Sequence, residues 1–200
     1  MAIIAAGRGH QVTLFDRAAE IGGQLNLARQ VPGKEEFNGL VDWFRTLLDH
    51  PGITLKLGKT ATAGDLAGFD EVVIATGVVP RDPGIPTEAG ATVLSYIDVL
   101  KGAKLGGRVA VVGAGGIGFD VAETLVHAGV SPTLDASVWR EEWGVSAPWE
   151  DRGGLQPEGP KPQPPARDVY LLQRKAEKPG RHLGKTTGWI HRASLAMKRV

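Results

Sequence analysis

The stretch Val109-Ala110-Val111-Val112-Gly113-Ala114-Gly115-Gly116-Ile117-Gly118-Phe119-Asp120 decides the fold. Four apolar residues run directly into Gly-x-Gly-x-x-Gly, and Val121, Ala122, Leu125 and Val126 then recur at helical spacing as far as Gly129. Each glycine has its own mechanical task. Gly113 allows the tight turn, Gly115 lets a pyrophosphate approach the backbone, and Gly118 lets helix and strand pack closely. Unpaired N–H groups at the helix start, around Gly116, face the phosphate charge. With 28 glycines in 200 residues, the triplet alone says little. A strand before it and a helix after it make it a dinucleotide fingerprint.

Downstream, residues 131–167 read as irregular and rich in Pro and Gly, with Trp139, Trp143 and Trp149 as packing anchors. The strand Val169-Tyr170-Leu171-Leu172 follows and ends at Gln173-Arg174-Lys175. Cations at that strand tip suit a 2′-phosphate, where an acid would repel it, so the expected ligand is NADPH rather than NADH. Gly118 and Arg174 are much further apart than the usual separation of about 20 residues. The reading therefore requires residues 131–167 to be an insertion between helix and strand.

Upstream, the same unit appears a second time without its beginning. Residues 2–6 are apolar and helix-compatible, and Gln11-Val12-Thr13-Leu14-Phe15-Asp16 reads as a strand ending on an acid. That carboxylate suits a free ribose 2′-hydroxyl, as in FAD or NAD. No strand and no glycine triplet precede residue 2, so the expectation is a fragment whose first domain lacks its first strand and glycine loop. Ile21-Gly22-Gly23-Gln24 is a glycine loop, and Phe37, Leu40, Val41, Phe44, Leu47 and Leu48 line one side of a helix within residues 34–49. Ile53–Leu57 alternates as a strand, and Glu71-Val72-Val73-Ile74-Ala75 reads as a buried strand closed by Thr76-Gly77. A connection over residues 78–106 carries a short helix around Tyr96–Leu100.

The expected fold class is α/β, with two incomplete Rossmann-like domains of the three-layer β/β/α type. Residues 1–105 are expected to form one partial dinucleotide domain and residues 106–200 a second, partial NADPH domain. A hydrophobic fraction of 42% and a charged fraction of 22% allow a globular core. The absence of cysteine excludes disulfides, thiolate metal sites and a Cys-x-x-Cys redox pair, and with it a thioredoxin-reductase type of chemistry. No apolar run reaches transmembrane length and no secretory leader is evident, so the expected location is cytoplasmic. The net charge of +1 hides nine Lys/Arg against two acids in residues 167–200. That basic end suits nucleic acid, a membrane surface or the phosphates of a small ligand, and its scant aromatic interleaving argues against nucleic acid.

At this point the sequence resembles a known family, the C-terminal half of bacterial NADPH-dependent 2,4-dienoyl-CoA reductases. The resemblance runs over nearly the whole chain. It is carried by residues 9–16, Ile21-Gly22-Gly23-Gln24, Pro32-Gly33-Lys34-Glu35-Glu36-Phe37, Ala75-Thr76-Gly77, Val93-Leu94-Ser95-Tyr96 and the glycine fingerprint. More specific to the family are Glu142-Trp143-Gly144, and Leu172-Gln173-Arg174-Lys175 with Gly184-Lys185-Thr186-Thr187-Gly188-Trp189-Ile190-His191-Arg192. The resemblance implies electron flow from NADPH to FAD, then through a [4Fe-4S] cluster to FMN in a barrel where a dienoyl thioester of fatty-acid β-oxidation is reduced. It implies that residues 1–105 are a partial FAD domain, with FAD contacts at Asp16, Gly23, Gln24, Ala61, Ala75, Thr76 and Gly77. It implies NADPH contacts at Gly113, Gly115, Gly116, Gly118, Arg174 and Lys175. The barrel, its acids and the cluster cysteines are not among these residues, so no catalytic residue and no metal ligand is assigned, and the isolated chain is expected to be inactive. A 2-enoate reductase, a trimethylamine-dehydrogenase-like flavoprotein, and a non-catalytic dinucleotide-binding or interaction protein are the alternatives.

Other motifs read as structural. Lys185 in Gly-Lys-Thr-Thr has the wrong spacing for a P-loop, with three residues rather than four between Gly180 and Gly184. His182 and His191 have no obvious neighbouring carboxylate and read as surface histidines. Asp120 stands near a helix start, where helix stabilisation and a functional role are equally open.

Overall fold

The computed structural model describes residues 1–147 and 150–200, and Trp149 therefore lies outside the described residues. The chain packs as two compact units: Met1–Ala28 with Glu36–Thr92, and Arg29–Glu35 with Val93–Val200.

In the first unit, helix α1 (Ala2–Gly7) leads into strand β1 (Val12–Phe15), followed by α2 (Leu25–Ala28) and α3 (Phe37–Leu48). Strand β2 (Ile53–Lys56) pairs parallel to β1 in the register Val12↔Ile53 to Phe15↔Lys56, and the short α4 (Ala63–Leu66) follows. The apolar face expected for α3 is observed. Val41 and Leu48 are buried, while Trp43 on the opposite side is 54% exposed. A Thr62–Asp65 capping box starts α4.

The buried strand expected at Glu71–Ala75 does not form. Residues 67–95 are exposed, without helix or strand before α5, and Val73 and Ile74 are 63% and 75% exposed. An apolar run becomes a buried strand only where a neighbouring edge accepts its N–H and C=O groups. Among the described residues β1 pairs with β2 and neither pairs with this stretch.

The second unit contains α5 (Tyr96–Leu100), β3 (Arg108–Val112), α6 (Gly116–Val126), α7 (Ala136–Trp143), β4 (Asp168–Leu172) and α8 (Gly188–Met197). Strands β3 and β4 are parallel in the register Arg108↔Asp168 to Val112↔Leu172. Helix α6 supplies the crossover and buries Phe119, Val121, Ala122, Leu125 and Val126 against Val169 and Leu195. Tyr96, Val99 and Leu105 also pack on this core. Residues 93–105, expected with the first domain, thus pack with the second, because their apolar side chains find α6 there.

One further expectation changes. The insertion is not irregular throughout: it holds α7 and the short 3₁₀ turns Pro132–Leu134 and Arg152–Gly154. Helix α8 directly follows Gly-Lys-Thr-Thr, a stretch for which the sequence reading named no element. Of the expected β/β/α layering, the described residues supply one two-stranded sheet and its helices in each unit.

Candidate dinucleotide sites

The second unit assembles its site at the carboxyl edge of β3 and β4. Gly113 has φ +121°, a backbone angle that favours glycine, and its N–H donates to the Leu172 carbonyl at 2.8 Å. This one bond sets the glycine turn beside the tip of β4, so Arg174 and Lys175, two and three residues beyond Leu172, leave from the same edge. A Cβ built on Gly118 would sit 1.7 Å from the Gly113 carbonyl oxygen. The third glycine is therefore required by the return of the helix onto its own turn. Gly115 and Gly116 face open space: no heavy atom lies within 4 Å of a Cβ built on either. Gly115 is the N-cap of α6, with no side-chain cap bond and no acid in the first helical turn. The first amides of α6 are thereby left to an anion from outside the helix. These features fit a pyrophosphate.

Beyond Lys175 the loop stays cationic. Lys175 Nζ lies 3.5 Å from Glu177 Oε1, His182 Nε2 lies 3.1 Å from the same oxygen, and Arg181 lies 3.7 Å from Oε2. His182 thus has a carboxylate partner that inspection of the sequence missed, five residues upstream. His191 has one too. Its Nδ1 lies 3.0 Å from Glu123 Oε1 across 68 residues of sequence. Burial pushes the Glu123 carboxyl above the ordinary carboxylate range, against the pull of His191.

Asp120 is not left to the helix end. Lys34 Nζ donates to both of its oxygens at 2.7 Å. With Thr133 donating to Glu35 at 2.9 Å, this pair ties residues 29–35 to the second unit. Lys34 belongs to a short Gly-Lys-Glu stretch whose partner stands 86 residues away, so no local signal pointed to the pair.

In the first unit, Asp16 stands just past β1. Its N–H donates to Lys56 O at 3.1 Å, and its Oδ1 accepts from Ala18 N at 2.9 Å. Gly22 and Gly23, at φ +118° and +51°, form the loop ahead of Gln24. Ala61 is half-buried beside the Thr62 cap of α4. A carboxylate at a strand tip beside a glycine loop fits a ribose. Ala75, Thr76 and Gly77 lie on the exposed stretch without strand partners and form no preformed part of that site. Among the described residues no group of three or more His, Asp or Glu could hold a metal ion, and no helix is long and apolar enough to cross a membrane.

Comparison with known proteins places the chain in a family. The chain is 36% identical over 144 residues to a metal reductase of Desulforamulus reducens, covering 68% of this chain and 21% of the relative. It is also 36% identical over 141 residues to an NADH oxidase of Thermoanaerobacter brockii, covering 66% of this chain and 22% of the relative. The chain thus spans about a fifth of the length of these curated relatives. The structure of a 2-naphthoyl-CoA reductase complex superposes with a TM-score of 0.59 at 24% identity, covering 86% of this chain and 30% of that one, a likeness of fold. The family model for pyridine nucleotide-disulphide oxidoreductases matches residues 1–174. With an α/β fold, a glycine turn opening onto an uncapped helix and a match over most of its length, the chain belongs to the pyridine nucleotide-disulphide oxidoreductases, flavin- and NAD(P)-dependent enzymes.

Proposed function

We propose that residues 1–200 form the electron-input module of an FAD- and NADPH-dependent enoyl reductase of the 2,4-dienoyl-CoA reductase type. The second unit would take NADPH and the first FAD. One observation carries the reading: the Gly113–Leu172 backbone bond puts the uncapped start of α6 and the Arg174-Lys175 pair at one sheet edge. That edge offers helix amides for a pyrophosphate and cations for a 2′-phosphate.

Bound together, the two cofactors supply hydride transfer from nicotinamide to flavin, and the protein supplies position and electrostatics. Gly113, Gly115, Gly116 and Gly118 would hold the pyrophosphate, and Arg174 with Lys175 the 2′-phosphate. Asp16 would accept a hydrogen bond from a ribose hydroxyl, with Gly23, Gln24, Ala61 and Ala75-Thr76-Gly77 contacting the same dinucleotide. No residue of this chain is given a catalytic role. The acyl-CoA substrate, FMN and the [4Fe-4S] cluster belong to the remainder of such an enzyme, which would work in the cytoplasm. Support for the dienoyl-CoA assignment comes from the Gly-Lys-Thr-Thr-Gly-Trp-Ile-His-Arg block and Glu142-Trp143-Gly144. A second reading, a related flavoprotein with another electron acceptor, draws on the likeness to the NADH oxidase.

The test is calorimetric titration of NADPH and NADH into the wild-type chain and the Arg174→Ala/Lys175→Ala double variant. The variant is expected to lose about tenfold or more in NADPH affinity, the scale of lost bonds to a charged group. NADH affinity stays the same. If both affinities are unchanged, the 2′-phosphate assignment is wrong.

A further inference from the structure

We propose that Glu177 sets the NADPH-over-NADH preference of the second unit, as a built-in carboxylate with which the 2′-phosphate competes for Lys175 and its cationic neighbours. The proposal rests on the 2′-phosphate reading given above. The loop after β4 is closed on itself. Gln173 Nε2 donates to the Lys175 carbonyl at 2.9 Å and also to the Glu177 carbonyl, which turns the chain back over the strand tip. The turn brings one carboxylate among three basic side chains. Glu177 Oε1 meets His182 at 3.1 Å and Lys175 at 3.5 Å, and Oε2 meets Arg181 at 3.7 Å.

Exposure separates the two sides of this cluster. The Glu177 side chain is 21% exposed, whereas Lys175, Arg181 and His182 are 68%, 69% and 72% exposed. The acid is seated, and the Lys175 and Arg181 cations are free to swing to another anion. Burial alone would raise the Glu177 carboxyl, but the His182 hydrogen bond and the Lys175 charge outweigh it and hold the carboxyl below the ordinary range. Glu177 is therefore ionised at neutral pH.

Two consequences follow for an arriving phosphomonoester. Lys175 must leave a carboxylate to reach it, and the fixed negative charge of Glu177 stays beside a dianion. Both oppose NADPH and neither touches NADH, whose ribose carries no phosphate. Glu177 also holds the basic loop together when no ligand is present, since it is the one acid between Lys175 and Val200.

The experiment titrates NADPH and NADH into the full chain carrying Glu177→Gln, at fixed ionic strength, beside wild type and Arg174→Ala/Lys175→Ala. Glu177→Gln is expected to tighten NADPH by about two- to fivefold, the scale of an exposed ion pair, with NADH unchanged. An unchanged or weakened NADPH affinity in Glu177→Gln overturns the proposal and makes Glu177 a scaffold of the loop. If the double variant still loses NADPH in that case, the 2′-phosphate reading survives alone. If instead the double variant keeps its NADPH affinity while Glu177→Gln tightens it, the Arg174-Lys175 assignment fails and the competition stands through Arg181. Circular dichroism of each variant separates these outcomes from loss of fold, and Glu177→Ala repeats the charge removal with a different side chain.

Discussion

Gly115 and Gly118 lie in one turn, yet the structure gives them different reasons to be glycine. A methyl group on Gly118 would lie 1.7 Å from the Gly113 carbonyl oxygen, and that neighbour is backbone and cannot rotate away. Gly118→Ala is therefore expected to destabilise the second unit by about 3 kcal/mol, the upper part of the range for overpacked interiors. A methyl group on Gly115 meets no heavy atom within 4 Å. Gly115→Ala should cost no more than about 1 kcal/mol, the loss of a tolerated N-cap, and weaken NADPH by crowding the pyrophosphate. Urea denaturation and calorimetry on the two variants separate packing from ligand approach; equal destabilisation of both would contradict the division. This part of the site was legible in the sequence because turn, helix start and strand lie within twelve consecutive residues. The pairs Lys34–Asp120 and His191–Glu123 were not, since nothing local to either partner indicates a contact across 86 or 68 residues.

Helix α7 shows how an element hides in a stretch rich in Pro and Gly. Its start is fixed by Asp135, whose Oδ1 accepts from Ser137 N at 2.8 Å and Val138 N at 3.3 Å. It ends at Gly144 with φ +64°, where a Cβ would fall 2.5 Å from the Gly159 carbonyl carbon. Its tie to the rest of the second unit is an ion pair. Lys198 Nζ meets Glu142 Oε1 at 2.5 Å and donates to the Gln163 carbonyl at 2.9 Å, with both side chains under one-tenth exposed. Breaking a buried pair from one side strands the other charge, at a cost of about 3–5 kcal/mol. Glu142→Gln should thus lower the urea midpoint and speed proteolysis within residues 150–160. Glu142→Leu with Lys198→Met, which removes both charges, should restore most of the loss. Failure of the double variant to recover would mean that the carboxylate does more than neutralise Lys198. The Glu-Trp-Gly triplet that marked the insertion was visible in the sequence, but the lysine that anchors it lies near the far end of the chain. Helix α8 escaped for a related reason: Gly-Lys-Thr-Thr reads as loop, and the apolar residues that bury it, Leu195 above all, come a full two turns later.

For the whole molecule, the informative surface is residues 71–75, read from the sequence as buried, together with the start of the connection after Gly77. Val72, Val73, Ile74, Val78 and Val79 are 45% to 78% exposed on a stretch without strand partners. The pattern was read as a buried strand, and the structure gives it neither strand nor burial. Apolar periodicity reports what a segment can do, while burial depends on whether an edge is there to receive it. Residues 71–79 contain no proline and carry a single charge, Glu71. Such a stretch, with open backbone N–H and C=O groups, pairs readily with a like segment of a second copy. The purified chain is therefore expected to self-associate at micromolar to millimolar concentrations and to enhance the fluorescence of an apolar dye. Val73→Lys with Ile74→Lys should suppress both effects, because two like charges in a pairing strand repel their copies. Neither residue lies in the glycine turn, α6 or β4, so NADPH binding by the second unit should be unchanged. Sedimentation velocity over a concentration series reads the association directly. A wild-type chain that stays monomeric, or a double-lysine variant that associates as strongly as wild type, would place the contact elsewhere and leave residues 72–79 as an inert exposed segment.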